Sequence, residues 1–307
     1  MIYNVCFLSN SKNERIVLNE SDVMTLVNDM KPRELNIIGG IRRYTISNIV
    51  IKKKSFIIKL DYLKAIVKNE MVYIFDIDNR NVNEFANYLS TKLINKKDNE
   101  TRFELKILDV MISHICLQYN SILDNILSEV INLDEMLSLN NINISFNNIV
   151  TLQNKIINFQ TRVTDVKNVI EELLDSDEDM ANIYISKENN PITEHTEVEY
   201  LLENYQKNFQ EILNEISGML KDIDIRQRIL DLNFASKRNN LASLNVKLTL
   251  LSLSVSVGTI ITGIFGMNLQ SKLENSFAAF ISIILLILLL IFIAHYFLTK
   301  IHSILLD

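Results

Sequence analysis

The chain of 307 residues predicts an α+β soluble domain, a long helical stalk and two C-terminal transmembrane helices. Three observations lead there. Two apolar runs, Leu248 to Phe265 and Phe277 to Leu298, are each long enough to cross a hydrocarbon core of about 30 Å at 1.5 Å rise per residue. Ahead of them, from Phe103 onward, apolar residues recur at helical three- and four-residue steps. Breakers are scarce, with two prolines and six glycines in the whole chain, which suits long uninterrupted helices.

Residues 1–101 read as a small α/β domain. Met1 to Leu8 is a short apolar segment, and Ser21 to Met30 suits a helix capped by Ser21 and closed by Pro32. Tyr44 to Ile51, Ser55 to Leu60 and Met71 to Ile77 are rich in Ile, Val, Phe and Tyr, as strands are. Lys52-Lys53-Lys54 reads as a solvated turn beside a strand. Gly39-Gly40 lacks the third glycine and the strand-to-helix setting of a phosphate loop. The first 20 residues mix Lys12 and Arg15 with Glu14 and Glu20, so no secretory signal or acid-poor presequence is expected there.

Residues 102–195 read as the helical part of the soluble domain. Phe103 to Leu137 has one helical period, Asn140 to Asn148 reads as a loop, and a second helix runs from Ile149 to Leu174. Asn189-Asn190-Pro191 breaks the chain. The stalk, 196–247, starts at a capping box of Thr196 and Glu199. Val198, Leu202, Tyr205, Phe209, Ile212, Ile216, Met219 and Ile223 then form a heptad-like seam that suggests oligomerisation about an axis. An unbroken helix from Thr196 to Phe265 would be about 105 Å long. Residues 248–265 form the first membrane helix, 266–276 a loop, 277–298 the second helix and 299–307 a short tail.

The first membrane helix is not uniformly apolar, as a helix facing only lipid would be. Counting back from Asn268, the positions Thr259, Ser256, Ser252, Leu248 and Asn245 hold one helical face, mostly small and hydroxylated, as a water-filled path would be. Back-bonding of these hydroxyls to their own helix, or helix packing, would give the same composition. The second helix is Ile/Leu-rich and reads as the lipid-facing one. Lys237, Arg238 and Lys247 precede the first span and Lys300 follows the second, while the loop carries Lys272 balanced by Glu274. The positive-inside rule therefore places both termini inside.

Composition excludes other classes. Lys and Arg number 31 against 37 Asp and Glu, a net charge of −6 with no basic block, so no nucleic-acid surface is expected. Cys6 and Cys116 fit no ligand spacing and read as reduced, buried thiols. His114, His195, His295 and His302 are scattered, and no Ser/His/Asp or Cys/His set points to an enzyme.

Phe265-Gly266-Met267-Asn268, at the end of the first of two C-terminal membrane helices, resembles the CorA-type magnesium channel superfamily. Glu197-Val198-Glu199-Tyr200-Leu201-Leu202-Glu203-Asn204-Tyr205 and Leu173-Leu174-Asp175-Ser176-Asp177-Glu178-Asp179-Met180-Ala181 resemble its eukaryotic, mitochondrial-magnesium-channel branch. Arg238-Asn239, with Leu241 and Leu244-Asn245, resembles the segment entering the membrane. The similarity spans about Arg33 to Leu298.

The resemblance implies a homopentameric, funnel-shaped channel for Mg²⁺ influx, its soluble part in the cytosol or matrix. The mitochondrial inner membrane is the family's address, with the plasma or another membrane left open. Five Asn268 amides would accept hydrogen bonds from the water shell of Mg²⁺, which dehydrates reluctantly. Gly266 would let the chain turn closely, and Met267 would pack, a thioether being a poor ligand for a hard cation. Thr259, Ser256, Ser252 and Asn245 would offer oxygens, and Leu248 a dry constriction. Arg238 matches a family position facing the pore, or else snorkels at the interface. Ala235 departs from the family, where an acid often stands, and Asp231 one turn earlier would replace it. Regulatory Mg²⁺ would bridge subunits at Glu171, Glu172 and Asp175 and at Glu104, where Arg102 replaces a usual proline. A solvated acidic helix end is the plainer account of the same run. Alternatives are a transporter of the same fold for Zn²⁺, Co²⁺ or Ni²⁺, and a non-conducting coiled-coil tether.

Overall fold

The computed structural model describes residues 2–9, 13–27, 30–39, 46–52, 54–68, 70–94, 102–138, 142–185, 195–267 and 276–304. The chain divides into two compact units, Met1–Ile225 and Arg226–Asp307.

The first unit is built on a six-stranded antiparallel sheet. Its strands are β1 Ile2–Ser9, β2 Asn13–Asn19, β3 Asn48–Lys52, β4 Ser55–Leu60, β5 Leu63–Lys68 and β6 Met71–Phe75, in the order β2-β1-β6-β5-β4-β3. Strands β3 to β6 form a meander. The chain's first strand then pairs with its last, Val5 opposite Phe75, while β2 folds back to set Ile16 opposite Val5. Asp61, Glu70 and Asp76, at the turns, have φ of 52°, 60° and 61°, the left-handed region that Asp tolerates better than most residues.

Helices α1 (Glu20–Leu26), α2 (Pro32–Gly39) and α3 (Arg80–Ile94) accompany the sheet. Tyr3, Val5, Val23, Val27, Leu35, Ile38, Ile57, Ile66 and Phe75 pack as one core cluster of the sheet with α1 and α2. Two lysines of β5 tie the helix ends down. Lys68 Nζ donates to the Leu26 carbonyl at 2.8 Å and Lys64 Nζ to the Ile38 carbonyl at 2.9 Å, cations at the negative ends of the helices. Lys52 is not merely solvated, because it pairs with Glu34 at 2.9 Å.

Several expectations for this unit change. Asn19, not Ser21, precedes the first helix, its N–H donating to Asp22 Oδ2 at 3.0 Å, and the helix ends at Leu26. Pro32 opens α2 rather than closing α1, because a first-turn N–H needs no helical partner. Strand β3 starts at Asn48; Ile46 and Ser47 precede it outside the strand, and residues 44–45 lie outside the described residues. The sequence signals for β2, β5 and α3 are weak: β2 is charged and mostly exposed, β5 carries lysines near both ends, and α3 is rich in helix-indifferent Asn.

Helices α4 (Phe103–Ser138), α5 (Ile142–Leu174) and α6 (Asp177–Asn182) follow, and then α7 (Thr196–Phe265). Residues 142–148 begin α5 rather than forming a loop. The Asn189–Pro191 break lies outside the described residues. Thr196 is already helical, and the Glu199 N–H donates to the His195 carbonyl at 3.0 Å, so the expected cap sits one residue earlier.

The seam of α7 is largely internal. Val198, Leu202, Phe209, Ile212, Ile216, Met219 and Ile223 are buried within the single chain. Tyr119 of α4 stands edge-on to Phe159 of α5 at 5.4 Å and to Phe209 of α7 at 6.0 Å. Arg162 of α5 reaches Asp61 of the β4–β5 turn, Nε to Oδ1 at 3.2 Å, and so joins helix to sheet. The periodicity read as a subunit contact therefore serves the chain's own core as far as Ile223.

The second unit holds the rest of α7 and α8 (Phe277–Ile304). Among the described residues α7 is long and apolar enough to cross a membrane, and the apolar stretch followed in α8 is Phe277–Ile293. The two helices meet closely at Gly258, where an added Cβ would lie 3.5 Å from Ile287 Cγ2.

Candidate functional site

The C-terminal part of α7 carries the face counted back from Asn268. Asn245, Ser252, Ser256 and Thr259 are all exposed in the single chain. A shallow groove follows this face, lined by Asn245, Leu248, Thr249, Ser252, Leu253 and Ser256. Thr249 and Leu253 are additions to the sequence reading. Stepping back through residues 252 and 248 passes over 249, although a helical face about 100° wide admits both. Leu248 is 54% exposed and forms part of the groove's wall.

The hydroxyls of this helix turn back on their own backbone. Thr249 donates to the Asn245 carbonyl at 2.8 Å, Ser256 to Ser252 at 2.9 Å and Thr259 to Val255 at 2.9 Å. Off the groove, Ser254 donates to Leu250 at 2.8 Å and Thr262 to Thr259 at 3.0 Å. Their hydrogens are satisfied locally, which lets hydroxyls sit on a helix without water.

At the C-terminal end of α7 Gly266 donates to the Thr262 carbonyl at 2.9 Å and Met267 to Ile264 at 3.4 Å, closing the helix. No described glycine has positive φ, so Gly266 is not used for a left-handed turn. A Cβ there would come 3.2 Å from the Thr262 oxygen, a mild squeeze against its own helix. Met267 is exposed. Asn268 and the rest of the loop through 275 lie outside the described residues. At the other end, Asp231, Ala235 and Arg238 lie on a stretch of α7, residues 231–242, exposed on every side.

The expected regulatory acids do not converge within one chain. Among the described residues no three His, Cys, Asp or Glu side chains come together to hold a metal ion. Glu104 is only 3% exposed, in the first turn of α4. Next to it the Arg102 guanidinium lies 4.5 Å from the Tyr184 ring centre. Burial, followed by the charge of Glu197, pushes the Tyr184 phenol up. Glu171 pairs with Lys167 and accepts from Gln206 Nε2 of α7 at 3.0 Å. The Lys167 bond holds its carboxyl below the usual range. Glu172 and Asp175 face outward. The acids that follow have a folding role: Ser176 Oγ accepts the Asp179 N–H at 3.2 Å, and Asp177, Glu178 and Asp179 fill the first turn of α6, where negative charge is favoured.

Residues 10–238 match the profile of the family described as "Magnesium transporter MRS2-like". The chain belongs to this family. Among its relatives, the "Mitochondrial inner membrane magnesium transporter LPE10" of Yarrowia lipolytica is 28% identical over 82% of the chain and 58% of that protein. The "Magnesium transporter MRS2, mitochondrial" of Saccharomyces cerevisiae is 24% identical over 91% of the chain and 61% of that protein. The chain thus spans about three fifths of the length of these relatives. The CorA magnesium transporter of Methanocaldococcus jannaschii superimposes with a TM-score of 0.70 at 17% identity, covering 96% of each chain. The full-length CmaX protein gives 0.64 at 11% identity, covering 100% of this chain and 98% of its own. This MRS2-like chain therefore has the CorA fold. The family profile stops at Arg238, just before the groove, so the groove stands on its own geometry.

Proposed function

We propose that five copies of the chain form a Mg²⁺ influx channel, with α7 lining the pore and α8, as a second span, around it. The observation that carries this reading is the polar face of α7. A membrane-length helix presents Asn245, Thr249, Ser252, Ser256 and Thr259 on one exposed side; the back-bonded hydroxyls need no water, but the Asn245 amide and the remaining oxygen lone pairs are better served by a watery path than by lipid. The exposed apolar side chains elsewhere on the unit, such as Leu251, Ile260, Phe280 and Leu285, suit lipid and neighbouring copies.

At the mouth the Asn268 amides accept hydrogen bonds from coordinated water and select Mg²⁺ with its shell intact. The membrane potential, about 2.3 kcal/mol per charge per 100 mV, drives entry. Arg238 and Asp231 set the charge of the inner end. Closure is favoured when internal Mg²⁺ neutralises the outward-facing Glu172 and Asp175 against a second copy. The descriptions of the yeast relatives support the mitochondrial inner membrane as the site of action.

The test is Mg²⁺ uptake by purified full-length protein in liposomes, with Co²⁺, Ni²⁺ and Zn²⁺ as competitors. Uptake that responds to membrane potential and is lost in Asn268→Ala at equal protein level is expected. Full uptake in that variant sinks the selectivity assignment. No wild-type flux favours the tether, and preferred uptake of a competitor favours another cation.

A further inference from the structure

We infer that Gly258 is a positioning residue for transport: it lets α8 brace α7 from directly behind the groove, so that the thickness of this one contact sets how far the groove face stands forward. The inference rests on the channel reading and goes beyond it by giving the second helix a defined task.

The burial pattern of the second unit places the contact. Among the described residues of α7 beyond Leu230, Gly258 is the one that is buried, and Leu250, Ser254 and Ile261 on the same side are half-buried. Steps of three and four keep these four on a single helical face. On α8, Ile283 and Ile287 are half-buried one turn apart, between exposed neighbours. A Cβ on Gly258 would lie 3.5 Å from Ile287 Cγ2, whereas a Cβ on Gly263 would meet nothing within 4 Å. The two glycines therefore differ in setting, one against α8 and the other facing open space. In lipid, helices associate through close packing, which small residues permit. The hydroxyl on this side is satisfied within its own helix, since Ser254 donates to the Leu250 carbonyl at 2.8 Å, so an apolar partner such as Ile287 can cover it.

This side of α7 and the groove lie back to back. At 3.6 residues per turn, the centre of the face from Leu250 to Ile261 stands about 165° round the helix from the centre of the groove. A side chain added at Gly258 therefore acts along the line from α8 through α7 to the groove. It drives the groove face toward the pore axis or α8 away into lipid. Packed side chains do not absorb such a change by compressing.

The test uses the full chain in liposomes and moves bulk across the contact. Gly258→Ala adds a methyl at ordinary contact distance from Ile287 and should keep Mg²⁺ flux close to wild type. Gly258→Leu should lower it by about fivefold or more through overpacking. Gly258→Leu combined with Ile287→Ala returns the space on the other helix and should regain about half of the wild-type flux or more. Assembly size is checked for each protein. A second measurement needs no large side chain. The pair Gly258→Cys with Ile287→Cys should crosslink on oxidation and go on conducting, because the brace stays with the helix it supports. The pair Gly263→Cys with Ile287→Cys should not crosslink. Undiminished flux in Gly258→Leu, or no recovery on adding Ile287→Ala, overturns the positioning role. Absence of the 258–287 crosslink, or flux lost on oxidation and regained on reduction, overturns the fixed brace even if the leucine variant fails to assemble. Absence of flux in the wild type is a different outcome, which removes the channel reading on which the inference rests.

Discussion

Tyr205 of α7 donates its phenol hydrogen to the Asp109 carboxylate of α4 at 2.6 Å, and the bond lies where the buried seam of α7 meets the helical part of the first unit. The phenol is pushed above its usual range by burial first and by this carboxylate second. Tyr205→Phe keeps the ring and leaves a half-buried acceptor short of its donor. The expected cost is about 1–3 kcal/mol, read as a lower melting temperature of the full-length protein in detergent. An unchanged melting temperature would mean that water replaces the phenol.

Gly39 faces Tyr3 so closely that a Cβ would sit 2.3 Å from the Tyr3 hydroxyl. Tyr3 is 7% exposed and part of the core cluster, so it cannot simply swing aside. Gly39→Ala should destabilise by about 1–3 kcal/mol through overpacking. Adding Tyr3→Phe removes the clashing oxygen and should return part of that loss. A double-mutant cycle measures the coupling, and strict additivity of the two changes would refute the clash.

His114 lies 3.1 Å from the Tyr62 hydroxyl and packs on Phe85 with ring centres 4.9 Å apart. Burial pulls its pKa below the ordinary value of 6.5. Below about pH 6.5 the unfolded chain therefore takes up a proton that the folded chain resists. Stability is greatest above that value and falls as pH drops toward the folded-state pKa. Urea midpoints at pH 7.5 and 5.5 should differ more for the wild type than for His114→Gln. Equal pH dependence in the two proteins would exclude His114 as the source.

The acids near the end of α5 should separate into two groups. Glu171 is engaged by Lys167 and Gln206, so Glu171→Ala should lower the melting temperature. Glu172 and Asp175 are exposed, so the double change Glu172→Ala with Asp175→Ala should shift stability by no more than about 0.5 kcal/mol. If internal Mg²⁺ closes the channel as proposed, the double change should also weaken that closure. Unchanged inhibition in liposomes would remove these two residues as the sensor.

The way these acids divide marks the limit of what a linear sequence conveys. Glu171, Glu172 and Asp175 look alike in a row of carboxylates; Lys167, four residues back, singles out Glu171 along its own helix, and the contact with Gln206 on another helix is decided by the fold. Glu104 shows the same limit, since a carboxylate in the first turn of a helix reads as surface until the fold closes over it. Thr249 was within reach of the sequence, because it sits one helical step from Ser252 and Asn245. The count from Asn268 favoured Leu248 instead.

The sequence by itself determined what is local and periodic. It placed the end of α7 at Phe265 and its start within one residue, the start of α4, and the hydroxylated face that the groove follows. Helix periodicity is written in residues three and four apart, and the CorA-type Gly266-Met267-Asn268 signature needs no fold to be read. Tertiary structure alone decided what depends on distant partners. It paired β1 with β6, Val5 to Phe75, and turned the α7 seam inward onto Tyr119 and Asp109. It set Lys64 and Lys68 at the ends of α2 and α1. Each of these is a contact between residues far apart in the chain, whose energy comes from burying apolar surface and satisfying polar groups together, and no window along the sequence contains both halves.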